Sequence, residues 1–375
     1  MKIALLSNHA WGTANKAGFH MLAASYAALG HEVMFVTTGL SLFSAVRRDA
    51  RLRTGRPLNR LVDEGGGVWS YLHFTALHPH TLVLRPLDRL SAPLVRRYDR
   101  YGLGEAAPRV AAADVVFFES CSALCLVGLV RRMNPRAKLV YRASDVITRM
   151  RSLHPEVAAV EQEVLPAFDL VSVPTPCMAG RLGAARRVVV HRHGVDTAVF
   201  EAARSPYSPG SRNAIFVGMS DLDSSVLEVA ARRFPEVTFN VVGPFRREVA
   251  QPNVAYHGKL PFAVAAGYVK FADVALTALR KMDSALLESF GTSLKMNQYR
   301  YCGLPVVIPD AIPVPWQEGC FRYRFGDAES ICEAMAQALS AGRDPTRGAG
   351  VCSWRDVAAA ILGDLEKGEG KSCSS

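Results

Sequence analysis

The stretch 284-SALLESFGTSLKMNQYRYCGLPVVIPDAIPVP-315 decides the fold of this chain. It contains a polar loop, a short helix that begins near Ser293, Gly303 as the closing residue of that helix, and a buried strand at 306–309. A loop that runs into a helix N-terminus leaves backbone N–H groups unpaired and carries a partial positive charge. This arrangement favours a phosphate site at the start of the helix.

Lys295 and Gln298 give this helix a candidate role in binding. They lie three residues apart, so they share one helix face. The lysine could neutralise a diphosphate while the amide of Gln298 binds a ribose or sugar hydroxyl. A capped surface helix with a solvated lysine is the alternative interpretation, and the rest of the chain has to decide between the two.

The composition is that of a globular protein with more than one core. The chain has 375 residues, of which 49% are hydrophobic and 21% charged, so two domains with full cores are expected. The best candidate for a membrane span, at 113–130, is interrupted by Glu119 and Ser120. The N-terminal sequence MKIALLSNHAWG lacks a small-residue cleavage site, so we interpret it as the first core strand and expect a cytoplasmic protein.

Neither a metal nor a cofactor is expected. The eight cysteines are scattered without a CxxC spacing or nearby histidines, which suits reduced thiols. Asp221 and Asp223 form a DxD, a pattern that holds a divalent metal in some transferases, but they precede a helix that begins at Ser224, so helix capping is the preferred interpretation. No GxGxxG follows the first strand, so nothing supports a dinucleotide cofactor.

The net charge of +10 lies entirely in the first 200 residues, which hold 25 Lys and Arg against 15 Asp and Glu. Two groups of arginines account for most of it and alternate with apolar residues: Arg47, Arg48, Arg51, Arg53, Arg56 and Arg60, then Arg85, Arg89, Arg96, Arg97 and Arg100. Such clusters suit an anionic membrane surface, where each cation contributes about 1 kcal/mol. Nucleic acid is the competing partner, but no groove-reading motif supports it, and a solvated arginine-rich surface is the third interpretation.

Two successive α/β series predict a pair of Rossmann-like domains. A strand at 2–7, a helix at about 15–29 and a strand at 32–37 form a βαβ opening, which indicates a doubly wound parallel sheet with a ligand crevice at the carboxyl ends of its strands. Residues 40–110 are the least regular part. The Pro-rich 204–212 marks a boundary. We therefore predict an N-terminal domain at 1–203, a second domain at 204–350, and at 351–375 a helix, a candidate to return to the first domain, with a disordered tail.

Asp145 and His20 are candidates at the crevice of the first domain. Asp145 comes just after the strand 138–142, where burial raises the pKa of a carboxylate and Arg142 can limit the rise, so the residue suits a general base. The alternative is that Asp145 caps the next helix. His20, on the first helix, could reach an acceptor, although a lone helical histidine is more often structural.

Five longer motifs together carry a family resemblance: 114-DVVFFES-120, 132-RMNPRAKLVYRASD-145, 193-HGVD-196, 234-FPEVTFNVVG-243 and 293-SLKMNQYRYCGLPVV-307. With them, the chain resembles the GumK-type β-glucuronosyltransferases of bacterial exopolysaccharide assembly. The resemblance implies a GT-B fold, with two Rossmann-like domains facing across a cleft. It implies that 1–203 is an acceptor-binding, membrane-associating domain and that 204–350 binds the nucleotide sugar. It also implies inverting, metal-independent transfer from UDP-glucuronate to a polyprenyl-diphosphate-linked oligosaccharide at the inner face of the cell membrane.

The resemblance implies roles for individual residues as well. Asp145 matches the catalytic base of the family. The expected donor-binding residues are Met219, Ser220, Lys259, Ser293, Leu294, Lys295 and Gln298. The chain departs from the family at Lys259, where a glutamate is expected, and at Leu279, where a tyrosine is expected, so contacts with the donor differ here.

Three alternatives remain at this stage. A retaining GT-B transferase would carry a Glu eight residues after Glu288, but that position is Met296, which argues for the inverting type. A transferase of the same type could use another UDP-sugar. A non-catalytic protein that binds lipid-linked glycan or membrane is the third alternative, and the joint presence of Asp145 and Lys295 speaks against it.

Overall fold

The computed structural model describes residues 1–13, 16–281, 287, 290–291 and 293–367. Contacts within the chain divide it into two units. The first unit is Met1–Arg192 with the C-terminal segment that begins at Trp354, and the second unit is His193–Ser353. The division therefore falls before the HGVD segment, whereas we predicted it after residue 203. The hydrogen bond from the Asn297 side chain to the His193 carbonyl, at 2.8 Å, ties that segment to the second unit.

The first unit is built on an eight-stranded sheet. Its strands are β1 (Lys2–Ser7), β2 (Glu32–Ser41), β3 (Leu61–Gly65), β4 (Val68–Thr75), β5 (Val115–Glu119), β6 (Lys138–Arg142), β7 (Leu170–Val173) and β8 (Val188–Val190). Its helices up to that point are α1 (Gly18–Ala28), α2 (Leu42–Val46), α3 (Arg85–Arg96), α4 (Ala107–Ala111), α5 (Val127–Met133), α6 (Glu156–Val164) and α7 (Pro176–Ala179). The predicted start of α1 near residue 15 lies outside the described residues.

The strand order in this sheet is β3-β4-β2-β1-β5-β6-β7-β8, and only β3 runs antiparallel to its neighbour. From β1 the chain builds the sheet first toward β2 and then, from β5, in the other direction. The carboxyl ends of β1 and β5 therefore form a topological switch point, which is where ligands bind in open α/β sheets.

The second unit contains a six-stranded sheet in the order β11-β10-β9-β12-β13-β14, with every neighbouring pair parallel. Its strands are β9 (Arg212–Val217), β10 (Val237–Val242), β11 (Val254–Gly258), β12 (Val274–Leu276), β13 (Val306–Pro309) and β14 (Cys320–Tyr323). Its described helices are α8 (Thr197–Ala202), α9 (Ser224–Arg233), α10 (Phe262–Phe271), α11 (Leu294–Tyr301) and α12 (Ala328–Ala341). The switch point here lies between β9 and β12.

Residues 40–110 are more regular than the sequence predicts. They contain β3 and β4 as a hairpin and the amphipathic helix α3. Gly65, Gly66 and Gly67 all have positive φ angles and turn the chain between the two strands. The prediction was wrong here because β4 is buried on both faces and so lacks the alternation of a surface strand.

The quoted stretch folds as predicted where it is described. Ser293 is the N-cap residue of α11, and Gly303 ends the helix with φ +68°. A β-carbon at Gly303 would lie 2.4 Å from the carbonyl oxygen of Asp344, so both the backbone angle and the space require glycine. The chain then enters β13, which is buried along its whole length.

The last described helix, α13 (Trp354–Glu366), belongs to the first unit. The indole of Trp354 lies against Gly18 at the start of α1, and Asp364 pairs with Arg187 and His191 near β8. The predicted tail at 366–375 lies outside the described residues from 368 onward.

Candidate functional site

The first-unit switch point brings together polar residues from β1 and β5. Glu119, at the end of β5, is buried and accepts a hydrogen bond from the Ser7 hydroxyl at 2.5 Å and one from the Asn8 backbone at 3.4 Å. The ring of His9 lies 3.4 Å from the other oxygen of the same carboxylate. One oxygen of the buried Glu119 carboxylate therefore accepts from a hydroxyl and a backbone N–H, and the other oxygen faces the ring of His9.

Asp145 lies beside this pair, in the loop that follows β6. Its backbone N–H is 3.4 Å from the hydroxyl of Ser120, the residue after β5. Although the residue is exposed, the surrounding protein removes hydration from the carboxyl group and raises its pKa, and the negative charge of Glu119 adds to the rise. The charge of His9 opposes both effects. A carboxylate with a raised pKa that remains open to solvent is suited to accept a proton.

The neighbouring carboxylates favour the protonated form of His9. Burial alone would lower its pKa, but the Glu119 carboxylate and the hydrogen bond to it outweigh burial, so the pKa is raised. The Asp145 charge contributes to the rise. The charges of Glu119 and Asp145 thus act on His9, and those of Glu119 and His9 act on Asp145.

Two expectations about this site need correction. Arg142 does not limit the rise in the pKa of Asp145, because its buried guanidinium is directed to β7 and the residue after β8, where it donates to the Ser172 hydroxyl at 2.8 Å and to the His191 carbonyl at 2.7 Å. The alternative role of Asp145 as a helix cap does not hold either, since the short helical turn after it has Val146 as its N-cap residue and no side-chain capping bond.

His20 has a structural place. Its ring is buried and stacks on Phe35, with 5.2 Å between ring centroids. One ring nitrogen accepts the Ala17 backbone N–H at 3.0 Å, and the other lies 3.0 Å from the Ala10 carbonyl. Burial lowers its pKa to about 4, which agrees with a neutral ring. This placement corrects the predicted acceptor contact, because both ring nitrogens already have partners in the fold.

Sequence analysis missed His9 and Glu119 as functional candidates. Each comes at or just after the end of a strongly apolar strand, LLS for β1 and VVFFE for β5, and that position was the available signal. Their proximity depends on β1 pairing with β5, which is a long-range feature of the sheet.

The second-unit site is built where β9 ends and α11 begins. The Lys295 ammonium lies 5.2 Å from the ring centroids of both Phe216, in β9, and Phe290. The Tyr299 hydroxyl accepts the Val217 backbone N–H at 3.2 Å, which fixes α11 above the end of β9. The helix N-terminus and its lysine are thereby held at the switch point.

Lys295 is half-buried, and its ammonium is poorly hydrated. Loss of hydration lowers its pKa to about 8, while the charge of Asp221 has an opposing influence. The Ser293 hydroxyl, at the N-cap position, makes no capping bond and has no hydrogen-bond partner within the described residues. A bound anion at this helix start would stabilise the charged form of Lys295 and accept from the unpaired donors.

The other predicted donor residues occupy different parts of this edge. Met219 and Ser220 are exposed in the loop directly after β9, and Lys259 is exposed after β11, two strands away. Leu294 is half-buried in the first turn of α11, whereas Gln298 is buried one turn later. The edge thus presents Met219, Ser220, Lys259 and Lys295 to solvent to different degrees.

Three more predictions concern this edge, at Asp223, Leu279 and Glu288. Asp223 accepts the Ser225 backbone N–H at 3.0 Å as the N-cap of α9, so the capping prediction for the DxD is confirmed at this residue. Leu279 is fully buried and bridges to Leu222, so its side chain belongs to the core. Glu288, the reference point for the retaining alternative, lies outside the described residues.

Comparison with solved structures identifies the fold. The apo structure of OtsA covers 100% of both chains with a TM-score of 0.60 at 13% identity. A UDP-forming trehalose-phosphate synthase from Burkholderia xenovorans, in complex with glucose-6-phosphate, covers 98% of this chain and all of its own with a TM-score of 0.61 at 14% identity. At these identities the likeness shows the fold alone, which is the GT-B fold of glycosyltransferases. The fold class is thus GT-B.

Sequence comparison identifies the family. A curated relative from Xanthomonas campestris pv. campestris, UDP-glucuronate:glycolipid 2-beta-glucuronosyltransferase, is 31% identical over 366 residues, which cover 96% of this chain and 88% of the relative. The family model for the N-terminal domain of glucuronosyltransferase GumK matches residues 5–174. The chain therefore belongs to the GumK family of glucuronosyltransferases.

Proposed function

We propose that this enzyme transfers glucuronic acid from UDP-glucuronate to a polyprenyl-diphosphate-linked oligosaccharide in bacterial exopolysaccharide assembly, with inversion and without a metal. The observation that carries the proposal is the group of Asp145, His9 and Glu119 at the first switch point, in a chain that shares a family with a UDP-glucuronate:glycolipid transferase. A base with a raised pKa is what direct displacement by a sugar hydroxyl requires.

The proposed step is a single displacement. The acceptor hydroxyl oxygen attacks the anomeric carbon from the face opposite UDP, its proton passes to the Asp145 carboxylate, and the bond from carbon to the diphosphate oxygen breaks. The new glycosidic bond then has inverted configuration. Negative charge develops on the departing diphosphate, and Lys295 with the α11 N-terminus stabilises it.

Two features support transfer without a metal. Lys295 supplies a cation at the nucleotide edge, which is the role that a divalent ion has in metal-dependent transferases. Asp223, one half of the DxD, already accepts backbone and hydroxyl hydrogen bonds from Ser225.

The sugar is proposed from the relative and from charge. Lys259 is exposed at the same edge as Lys295, and Arg280 is exposed after β12. These cations could bind the carboxylate of a glucuronate donor. A transferase of the same type that uses a neutral UDP-sugar is the competing assignment.

We also propose that the enzyme binds the inner face of the cell membrane through α3 and the residues before it. The exposed apolar side chains here form what we call the leucine surface: Leu82, Val83, Leu84, Leu87, Leu90 and Leu94. Val83 has φ +72°, a strained angle for a β-branched residue, and is 73% exposed. Arg85, Arg89 and Arg97 are exposed among them, as an anionic bilayer would require. No helix in the described ranges is long and apolar enough to cross a membrane.

Transfer by the purified protein tests the proposal. Each of several UDP-sugars is supplied with membrane-extracted lipid-linked oligosaccharide, with and without EDTA, to the wild type and to Asp145→Asn. We expect turnover with UDP-glucuronate that survives EDTA and falls by roughly 10²–10⁴-fold in the variant, while UDP binding is retained.

Each part of the proposal has its own contrary result. Turnover with a neutral UDP-sugar alone would reject the donor, and loss of turnover in EDTA would reject metal independence. Retention of the donor's anomeric configuration in the product would reject inversion. Full activity of Asp145→Asn would reject the base.

A further inference from the structure

The first unit contains a cavity of about 260 Å³ that the proposed step does not use. It opens at the carboxyl edge of the first sheet, between α2, the segment after β4, and the residues after β5. The polar side chains that matter in its lining are Ser44, Arg47, Arg51, His78, His80 and Ser122. Asp145, Glu119 and His9 are not part of this lining. Asn8, whose backbone donates to Glu119, is part of it, so the cavity adjoins the proposed catalytic group without including it.

The cavity has a net positive lining. Its one acidic side chain, Asp49, is held by Arg51 at 2.7 Å, and the same guanidinium donates to the Asn8 carbonyl at 2.7 Å and to the Gly39 carbonyl at 3.0 Å. The Asp49 charge is therefore already compensated. Arg47 lies over the Phe43 ring, with 4.5 Å to the ring centroid. Because Asp49 pairs with Arg51, the Arg47 charge has no acidic partner in the lining.

The two histidines add donors that are sensitive to charge. Arg47 donates to His80 at 3.3 Å, and His78 lies 2.7 Å from the Ser41 hydroxyl. Burial lowers the pKa of His78 to about 4, and it also lowers the pKa of His80, with the neighbouring arginines acting in the same direction. A cation in the cavity would be repelled, whereas an anion would reverse these effects and gain donors from Arg47 and His80.

The helix α2 lines the cavity with some of its side chains and exposes apolar side chains to solvent with others. In α2, Phe43 and Ser44 line the cavity together with Arg47 just beyond the helix. Leu42 and Val46, which alternate with them, are 60% and 80% exposed. This short helix and the residue after it thus contribute Phe43, Ser44 and Arg47 to the lining, while its other apolar side chains face solvent.

The second wall shows the same combination. His78 and His80 line the cavity, while Leu77 and Leu82 are 50% and 43% exposed. Leu82 is the first residue of the leucine surface. The positively charged lining ends at His80 in this segment, so only Thr81 separates it from the leucine surface in the chain.

We propose that this cavity binds the phosphate or diphosphate group of a lipid-linked molecule whose hydrocarbon chain remains in the bilayer beside the leucine surface. The inference rests on the proposed function, because it names the group of the glycolipid acceptor that the first unit recognises. A second copy of this chain does not fit the same surface, since it would place arginines against arginines.

Binding measured by calorimetry tests the proposal with the full chain and saturating UDP, so that the donor site is occupied. The probes are farnesyl diphosphate, inorganic diphosphate and farnesol. Arg47→Gln removes the cavity cation, and Arg48→Gln is the matched control, because Arg48 carries the same charge next along the chain but is not in the lining.

We expect farnesyl diphosphate to bind more tightly than either other probe. Arg47→Gln should weaken it by about tenfold or more, as expected for a lost hydrogen bond to a charged group, and Arg48→Gln by less than about twofold. His80→Gln should weaken binding in the same direction. Unchanged thermal unfolding of each variant would show that the fold is intact, which is expected because Arg47 is exposed.

Four results would overturn the proposal. Equal losses in Arg47→Gln and Arg48→Gln would show general attraction of anions to an arginine-rich surface. Equal binding of farnesol and farnesyl diphosphate would show an apolar site without phosphate recognition. Equal binding of inorganic and farnesyl diphosphate would assign the cavity to a soluble phosphate compound. No binding of either diphosphate would reject an anion site, whatever the transfer assay shows, because neither measurement depends on the other.

Discussion

The pKa of Asp145 is set by residues that are distant from it in the sequence. Its raised pKa comes from lost hydration and from Glu119, and it is opposed by His9. Glu119 is placed by β5 and His9 by the loop after β1, so the proton affinity of the proposed base depends on how three strands pair. This dependence can be measured through the pH profile of the reaction.

His9→Gln should move the acidic limb of the profile of kcat/KM to higher pH. The base must be ionised to accept a proton, and loss of the positive charge of His9 raises the pKa of Asp145 further, so activity is lost earlier as pH falls. His31→Gln, a histidine beside the amino end of β2, is the control and should leave the limb in place. A limb that stays fixed in His9→Gln would show that His9 does not act on the base.

Lys295 provides a second prediction at the residue scale. Because its pKa is lowered to about 8, the free protein loses this charge above pH 8, and binding of UDP must restore it by taking up a proton. The Kd for UDP should therefore rise by up to about tenfold per pH unit above pH 8. Lys295→Arg keeps its charge in this range and should bind UDP with little dependence on pH. The same slope in both proteins would contradict this role.

At the scale of single elements, α3 combines two kinds of surface. Asp88 and Val95 are buried against the unit, and Arg96 pairs with Glu156 and Glu163 on α6. The opposite side carries the leucine surface. Ion pairs fix one side of α3 to its domain, and apolar side chains face solvent on the other. The proposed membrane contact requires this arrangement, because an interfacial helix buries an apolar face in the bilayer.

Leu90→Ser with Leu94→Ser should weaken binding to anionic vesicles by at least about tenfold, because each leucine contributes on the order of 1.5–3 kcal/mol when it enters an apolar phase. Co-sedimentation with vesicles at several salt concentrations measures the effect. Val264→Ser is the control, since Val264 is 47% exposed on α10 in the second unit. Equal binding by the double variant and this control would place the membrane contact elsewhere.

Local patterns predicted many of these elements well. The strands 138–142 and 306–309 match β6 and β13, because short apolar runs between turn residues leave few other choices. The same reasoning failed for β4 and α3. An apolar strand without alternation and a helix whose leucines face solvent both contradict the rule that apolar residues mark a core.

At the scale of the whole molecule, α13 is far from α1 in the chain but completes the first unit. Ile361 is fully buried, and Trp354, Val357, Leu362 and Leu365 are buried with it. A single helix returned from the C-terminus thus supplies part of the core of a unit that otherwise ends at Arg192.

Ile361→Ala should lower the free energy of unfolding of the first unit by about 2–5 kcal/mol, through lost burial and a cavity. Hydrogen exchange should accelerate in α1 and α13 and remain unchanged in α9 of the second unit. Ala360→Ser, at an exposed position of the same helix, is the control. Acceleration in α9 alone would contradict the assignment of α13 to the first unit.

By itself, the sequence determined the two Rossmann-like series, the glycine that ends α11, the position of Asp145 after a strand, and the motifs of the family. These are local properties, because they depend on the apolar period, on turn residues and on neighbouring positions. Only the tertiary structure decided that His9 and Glu119 lie beside Asp145, that Arg142 and His20 have structural partners, and that the arginine-lined cavity adjoins the leucine surface. Parallel strands bring residues together through the order of the sheet, and that order is a property of the packed whole.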